Sequence, residues 1–445
     1  MKNFIVSCFI ISAVFVSCSK NNDNWRSKAE NPEFLHRSVK QVTDVIVHDI
    51  LSPPVAARIY TYMSVAAYEV SIHKNDQYVT LAGQLNGLGA VPQPEAGVEY
   101  CFSLGAVQAA LKIGKTLVFS DDMMDKFYEK IFQEYKDTGM PEDVYERSIA
   151  YGTQVADHVL AWSGKDNYKQ SRSFPKYSIE DDPATWKPTP PAYMDAIEPH
   201  WNKIRPFAID SANQFIPTPP TVFSTDKNSQ FYKEALEVHD IGVNLTTEQR
   251  EIASFWDCNP FMLNVKGHVM FATKKISPGG HWMNITHVAC EKAKADFVQS
   301  AEAYVRVALS LVDGFIVCWD EKYRSKLIRP ETYINQYIDE NWVPLLQTPP
   351  FPEHTSGHSV ISGSAATALT DLFGENFSFT DSTEVEFGMK ARSFDSFFDA
   401  SEEAAVSRMY GGIHYTPACV VGLDQGKKVG NFIREKVKTR KPAGQ

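Results

Sequence analysis

Apolar residues recur at helical spacing along most of the chain. In RIYTYMSVAAYEVSIH (58–73), EYCFSLGAVQAALKIGKTLV (99–118), DDMMDKFYEKIFQEYKD (121–137) and PEDVYERSIAYGTQVADHVLAW (141–162) they fall at i, i+3, i+4 and i+7. Asp121 is placed to cap a helix start, and Gly139 follows a last turn. Thr246 and Gln249, in TTEQREIASFW (246–256), have capping-box spacing. Farther on, the pattern predicts one long helix from Asn284 to Tyr323 and shorter ones over 356–373, 395–410 and 416–438. No segment alternates apolar and polar residues as a half-buried strand does. The expected fold class is all-α, a multi-helix bundle.

Residues 165–225 break the periodicity. Ten of the 25 prolines lie there, interleaved with Tyr177, Trp186, Tyr193, Trp201 and Phe207. A flexible linker does not carry so many large aromatics, so the segment reads as an ordered excursion, a lid or rim over a cleft. On this reading 31–164 is an N-terminal helical part. It forms one integrated domain with a C-terminal helical core over 226–445.

Of the 445 residues, 43% are hydrophobic and 22% charged, which is ample for a large core. The first twenty, MKNFIVSCFIISAVFVSCSK, hold an early lysine and an apolar run of signal-peptide length, too short for a comfortable membrane span. The run closes on Phe15-Val16-Ser17-Cys18, which resembles a bacterial lipobox, and a polar tether (18–30) follows. Residues 1–17 are thus expected to be removed and Cys18 lipidated, giving an exported protein anchored at the cell envelope, in the periplasm or on the surface. The alternative is an ordinary signal peptide with a chance cysteine. Losing Lys2 takes the formal charge from −10 to −11, and an acidic chain without a basic block argues against nucleic acid as a ligand. Cys101, Cys258, Cys290, Cys318 and Cys419 are odd in number and lack CxxC spacing, so they read as buried free thiols.

Three pieces of the C-terminal half carry candidate chemistry. Lys322 and Arg329 are seven apart and share a helical face if one helix runs through both, with Pro330 forcing a break after them. Ser356-Gly357-His358, in EHTSGHSVISG (353–363), falls at a helix start, where free N–H groups and the positive dipole end favour an anion. A rival reading takes His354 and His358 as metal ligands at i, i+4, without the glutamate of HExxH or an evident third ligand. In Ser407-Arg408-MYGGI-His414 the double glycine ends a helix and lets the imidazole return beside the guanidinium. Singly, each piece also fits a capped helix or a solvated charge. Together they supply three cations, neutral donors and two titratable histidines, an inventory suited to a multiply charged tetrahedral oxyanion.

The order K-x6-RP, SGH, SR-x5-H is similar to the superfamily that joins type 2 phosphatidic-acid phosphatases, bacterial acid phosphatases and vanadium haloperoxidases. The resemblance covers about residues 250–440, and it departs where Thr355 replaces the usual proline before SGH. It implies an active site between helices of the C-terminal half. There Lys322, Arg329, Arg408, Ser356 and the Gly357 amide hold the oxyanion. His414 is the nucleophile and His358 the general acid, then the base. In the haloperoxidase branch the same cage holds vanadate, with His414 as the metal ligand. Trp319 and Phe351 match aromatic positions near the halide of chloroperoxidases, although plain core packing also explains them. Asp257 resembles an acidic residue orienting the last arginine, and His354 falls to a supporting or rim position.

Three readings follow. The leading one is an exported, cofactor-free acid phosphatase cleaving small or lipid phosphomonoesters through a phosphohistidine on His414. The second is a vanadium-dependent haloperoxidase with vanadate as cofactor. The third is a non-enzymatic surface binding protein, which gives no reason for three spaced anion-binding pieces.

Overall fold

The computed structural model describes residues 24–266, 269–272 and 274–442. The signal-peptide reading of 1–17, the Cys18 anchor and residues 18–23 of the tether lie outside the described residues; from Asn24 on the expected tether is instead a helix, Asn24–Ala29, with Trp25 and Ala29 buried. Within the described residues the fold is all-α, as the periodicity predicts, and no helix is long and apolar enough to cross a membrane. Its axis is the Phe297–Ser325 helix, buried along most of its length. The Pro53–Ser71 helix packs on one side of it and the Gly357–Phe373 helix on the other. Outside the first lie Phe102–Leu117 and then Glu142–Ser163, and outside the second Thr416–Lys436 and Phe397–Tyr410. One hydrophobic cluster runs through all of these layers.

Glycines set how closely two of the layers approach. A Cβ on Gly152 would come within 2.2 Å of the Gly105 carbonyl oxygen, and one on Gly426 within 1.9 Å of Val360 O. The second contact presses the Thr416–Lys436 helix against the first turn of the Gly357–Phe373 helix, so the SGH piece has a rigid backing.

Several expected boundaries differ. The single helix expected over 284–323 is two, Pro278–Ala293 and Phe297–Ser325. Lys294 turns left-handed (φ 53°), and Asp296 opens the second helix with a capping box to Gln299. Apolar periodicity runs across this break and hid the local cap. Asp121 makes no side-chain cap; it starts a 3₁₀ turn over Asp121–Met124. Gly139 does take the left-handed conformation (φ 86°) beyond the Asp125–Asp137 helix. Two antiparallel hairpins appear, Leu263–Lys266 with Val269–Ala272 and Phe379–Asp381 with Arg392–Phe394. Strands of three or four residues are too short to write an alternation into the sequence.

The proline-rich excursion is ordered and tied to the C-terminal half. Asp313, in the axial helix, accepts hydrogen bonds from the amides of Phe207 (2.8 Å), Ala208 (2.7 Å) and Ile209 (2.9 Å). Trp186 N donates to Lys326 O (2.7 Å), Ile328 N to Ala184 O (2.9 Å) and Ile197 N to Pro350 O (3.0 Å). The segment therefore acts as a strap holding the loops after Ser325 and before Ser356. All five described cysteines are free and buried.

If Asp313 anchors the strap, Asp313→Ala strands three buried N–H groups and lowers unfolding stability by roughly 3 kcal/mol or more. Asp313→Asn keeps an acceptor oxygen and should lose less. Denaturant unfolding of the two variants checks this, and an unchanged midpoint for the alanine variant would remove Asp313 as the anchor.

Candidate functional site

Lys322 and Arg329 reach the site from two elements, not from one helix face. The axial helix ends at Ser325, Lys326 turns left-handed (φ 51°), and Arg329 sits at the start of the Pro330–Tyr337 helix with Pro330 in its first turn. The break thus precedes Pro330, which opens the next helix because its fixed φ and missing N–H suit that position. Both side chains are fully buried. Lys322 Nζ donates to the carbonyls of Pro352 and Glu353 (3.0 Å each), so two of its three N–H bonds hold the loop before SGH and one is left. Arg329 donates from Nε to Phe351 O (2.9 Å) and from Nη1 to Ile413 O (2.8 Å), while its buried Nη2 has no protein partner. Burial pushes Lys322 down to about 8 and Arg329 down to about 10, and each cation repels the other.

Ser356 caps the Gly357–Phe373 helix, its Oγ accepting from Ser359 N (3.3 Å). The Ser356 side chain also hydrogen-bonds Cys419, and Gly357 and His358 form a first turn whose amides have no helical acceptor. Thr355, at the proline position, hydrogen-bonds Gln425 (2.8 Å), whose amide reaches the Phe215 carbonyl in the strap (2.9 Å). A hydroxyl thus ties down the loop where a ring would have stiffened it.

Arg408 ends the Phe397–Tyr410 helix. Gly411 follows, and Gly412 (φ 77°) turns the chain to bring His414 back, as the double glycine implies. Arg408 Nη1 donates to the Trp256 carbonyl, a partner also for the His358 ring. Arg408 Nε and His358 Nε2 are buried without a partner.

The tautomer of His414 follows from its neighbours. Nε2 lies 3.2 Å from Arg329 Nη1, and Nδ1 2.7 Å from Glu353 Oε1. A guanidinium only donates, so Nε2 carries the lone pair and Nδ1–H donates to the glutamate. Tyr415 N donates to the same Oε1 (3.0 Å). Burial and the three cations hold the His414 ring well below the usual histidine range, and burial lifts Glu353 to about 7 against the pull of Arg329 and Lys322. His358 is likewise held down by burial and Arg408. The result is a neutral imidazole whose unprotonated Nε2 accepts from Arg329 and faces the pocket.

His414, His358, Gly357 and Arg408 line one pocket, with Trp319, Phe351, Phe315, Phe261 and Cys258 as its apolar side. Trp319 packs against Phe351 (ring centroids 4.9 Å) and Phe315 (5.3 Å). Among the described residues, none of 165–225 lines this pocket, so the excursion is a strap behind the site and not its lid or rim.

Two expectations fail. Asp257 makes no hydrogen bond or ion pair with Arg408 but pairs with Lys275, acting on the guanidinium only as a nearby charge. For His354 only the rim half of its supporting-or-rim reading fails, and it is no metal partner of His358. It is buried, and its Nε2 faces the Thr218 carbonyl in the strap (3.0 Å). Glu353 was missed outright. Its partner is 61 residues away, and in EHTSGH it reads as one more polar residue before a helix.

Of the predicted oxyanion-holding set, Gly357, His358, Arg408 and His414 line the pocket, while Arg329 stands behind His414 Nε2 and Lys322 over the Phe351 ring, a donor set suited to an oxyanion of high charge.

The sequence matches the family model of the VCPO second helical-bundle domain over residues 335–441. No curated protein matches it. Among solved structures, that of the first bacterial vanadium-dependent iodoperoxidase is 50% identical with a TM-score of 0.88, covering 93% of this chain and 98% of the other. Holo and apo forms of a bacterial vanadium-dependent chloroperoxidase, at 14% and 16% identity, share the fold, with TM-scores of 0.65 and 0.64. Each covers 87% of this chain, and 93% and 95% of their own are covered. These matches overturn the phosphatase reading, because the near-full-length relative at half identity is a haloperoxidase. The K-x6-RP, SGH and SR-x5-H pieces are common to both branches and had no power to separate them. The chain belongs to the vanadium-dependent haloperoxidase family.

Proposed function

We propose that this protein is a vanadate-dependent iodoperoxidase, oxidising iodide with hydrogen peroxide. The observation that carries the reading is the 50% identity to a bacterial iodoperoxidase across 98% of that chain, together with the donors converging on His414. The donor set fits vanadate, since Arg329 Nη2, Arg408 Nε and His358 Nε2 are buried polar atoms that the protein itself does not satisfy. When bound, vanadate supplies a Lewis-acidic centre that activates peroxide toward a halide.

The chain's own groups do the rest. Nε2 of His414 would be the metal ligand, with the ring oriented by Glu353 at Nδ1. Lys322, Arg329 and Arg408 neutralise the non-bridging oxygens, with Ser356 and the Gly357 amide donating beside them. His358 lies in the same wall, where its unpartnered Nε2 would hold or release a proton beside the oxyanion. Trp319, Phe351, Phe315 and Phe261 form a polarisable wall that suits iodide, because a large ion with diffuse charge loses least hydration on leaving water. Export and a Cys18 lipid anchor belong to this proposal, supported by the apolar run before Cys18 and the polar SKNNDN after it.

Three outcomes are expected. Vanadate-reconstituted protein should form triiodide from iodide and peroxide, and His414→Ala should abolish this. Turnover absent from a chain that binds vanadate tightly would sink the iodoperoxidase reading. Glu353→Gln keeps a hydrogen-bond acceptor but loses the charge, so vanadate affinity, read by calorimetry on the apoprotein, should fall about 10–100-fold. An unchanged affinity would reduce Glu353 to a packing role. Finally, Cys18→Ser should move the protein from the membrane to the soluble fraction, and a membrane-bound variant would remove the anchor.

A further inference from the structure

Behind the pocket wall, three side chains from distant parts of the sequence meet. Cys258 follows the Thr247–Phe255 helix, His281 lies in the first turns of the Pro278–Ala293 helix, and Glu384 comes from the segment joining the strands Phe379–Asp381 and Arg392–Phe394. All three are buried, and the His281 ring stacks on the Trp256 indole (centroids 4.5 Å, interplanar 18°). Cys258 Sγ is 3.3 Å from His281 Nδ1 and 3.8 Å from Glu384 Oε1, and His281 Nδ1 is 3.3 Å from Glu384 Oε1.

This triangle has the size of one face of a tetrahedral zinc site. A metal about 2.3 Å from sulfur and about 2.0 Å from nitrogen and oxygen sets its donors roughly 3.3–3.6 Å apart. The two sulfur distances also suit thiol hydrogen bonds, whereas the 3.3 Å from His281 Nδ1 to Glu384 Oε1 is longer than the about 2.7–3.2 Å of a direct N–H···O bond. The far side of the ring supplies an independent observation. His281 Nε2 donates to Asp381 Oδ2 at 2.7 Å, and Thr383 N in turn donates to Asp381 Oδ1 at 2.9 Å. A carboxylate on one imidazole nitrogen, fixing the tautomer so that the other faces a thiol and a second carboxylate, is the arrangement that supports metal-bound histidines.

We infer that Cys258, His281 and Glu384 form a structural zinc site, with Asp381 as the positioning residue for His281. The sulfur and imidazole donors favour a borderline cation over calcium or magnesium. A water molecule completes four-coordination. Binding exchanges charge for charge: Zn²⁺ takes the place of the thiol proton of Cys258 and of the proton that the surrounding negative groups otherwise hold on Nδ1, releasing two protons. The site shares Cys258 with the apolar side of the pocket, while its other two ligands, His281 and Glu384, do not line it. Cys258 is two residues from Trp256, whose carbonyl holds Arg408, so the ion locks that wall to a helix and to a hairpin.

The test is elemental analysis of the untagged full chain, vanadate-loaded, after dialysis against buffered zinc. One zinc per chain is expected, separate from vanadium, and cobalt(II) in its place should show a thiolate-to-metal charge-transfer band. Cys258→Ser should lose that band, Asp381→Asn should weaken zinc binding about 10–100-fold, and His414→Ala should retain the zinc. Less than half an equivalent of zinc in the unaltered chain, absence of the charge-transfer band from its cobalt form, or full zinc retention in Cys258→Ser would overturn the assignment.

Discussion

The site depends on keeping three cations buried close together. Lys322, Arg329 and Arg408 are each removed from water, and like charges in a low-dielectric interior oppose one another steeply. The protein meets this with main-chain carbonyls: Pro352 and Glu353 for the lysine, Phe351 and Ile413 for one arginine, Trp256 for the other. Carbonyl dipoles offset part of the cost without cancelling the positive charge, as a full set of carboxylates would. Among the described residues Glu353 is the one carboxylate hydrogen-bonded within the cage, and its hydrogen bond goes to a histidine instead of a cation.

Because those carbonyls come from loops, something must hold the loops. The 165–225 strap does so from outside, through Ala184 and Trp186 beside Lys326–Ile328 and Ile197 beside Pro350. It is fastened in turn to the axial helix at Asp313. From the inside, Gly426 lets a neighbouring helix press on the first turn after Ser356. Aromatic and proline residues that look superfluous in a connection are thus part of what fixes the anion-binding geometry.

Much of this was legible in the sequence because its cause is local. Helical periodicity, the capping box at Thr246 and the glycine turn before His414 each act within a few residues. What was not legible rests on long-range pairing. Glu353 carries no signal until His414 is folded onto it, and Asp257 looked like an arginine partner by resemblance alone, with nothing local to mark Lys275, 18 residues on, as its partner. The helix break at Lys294 was hidden because Asp296 and Gln299 interrupt the apolar stripe too briefly. Choosing phosphatase over haloperoxidase failed for another reason. The cage residues recognise a tetrahedral oxyanion and serve either chemistry.

The carbonyl scaffold also bears on what happens when the cofactor leaves. A cation pinned by ion pairs to the cofactor alone would swing away on its departure, and each reloading would have to rebuild the site. Here every cation keeps main-chain partners of its own, so the cage has a shape defined by the backbone. On the proposed function, loading vanadate would then be a matter of filling a preset mould.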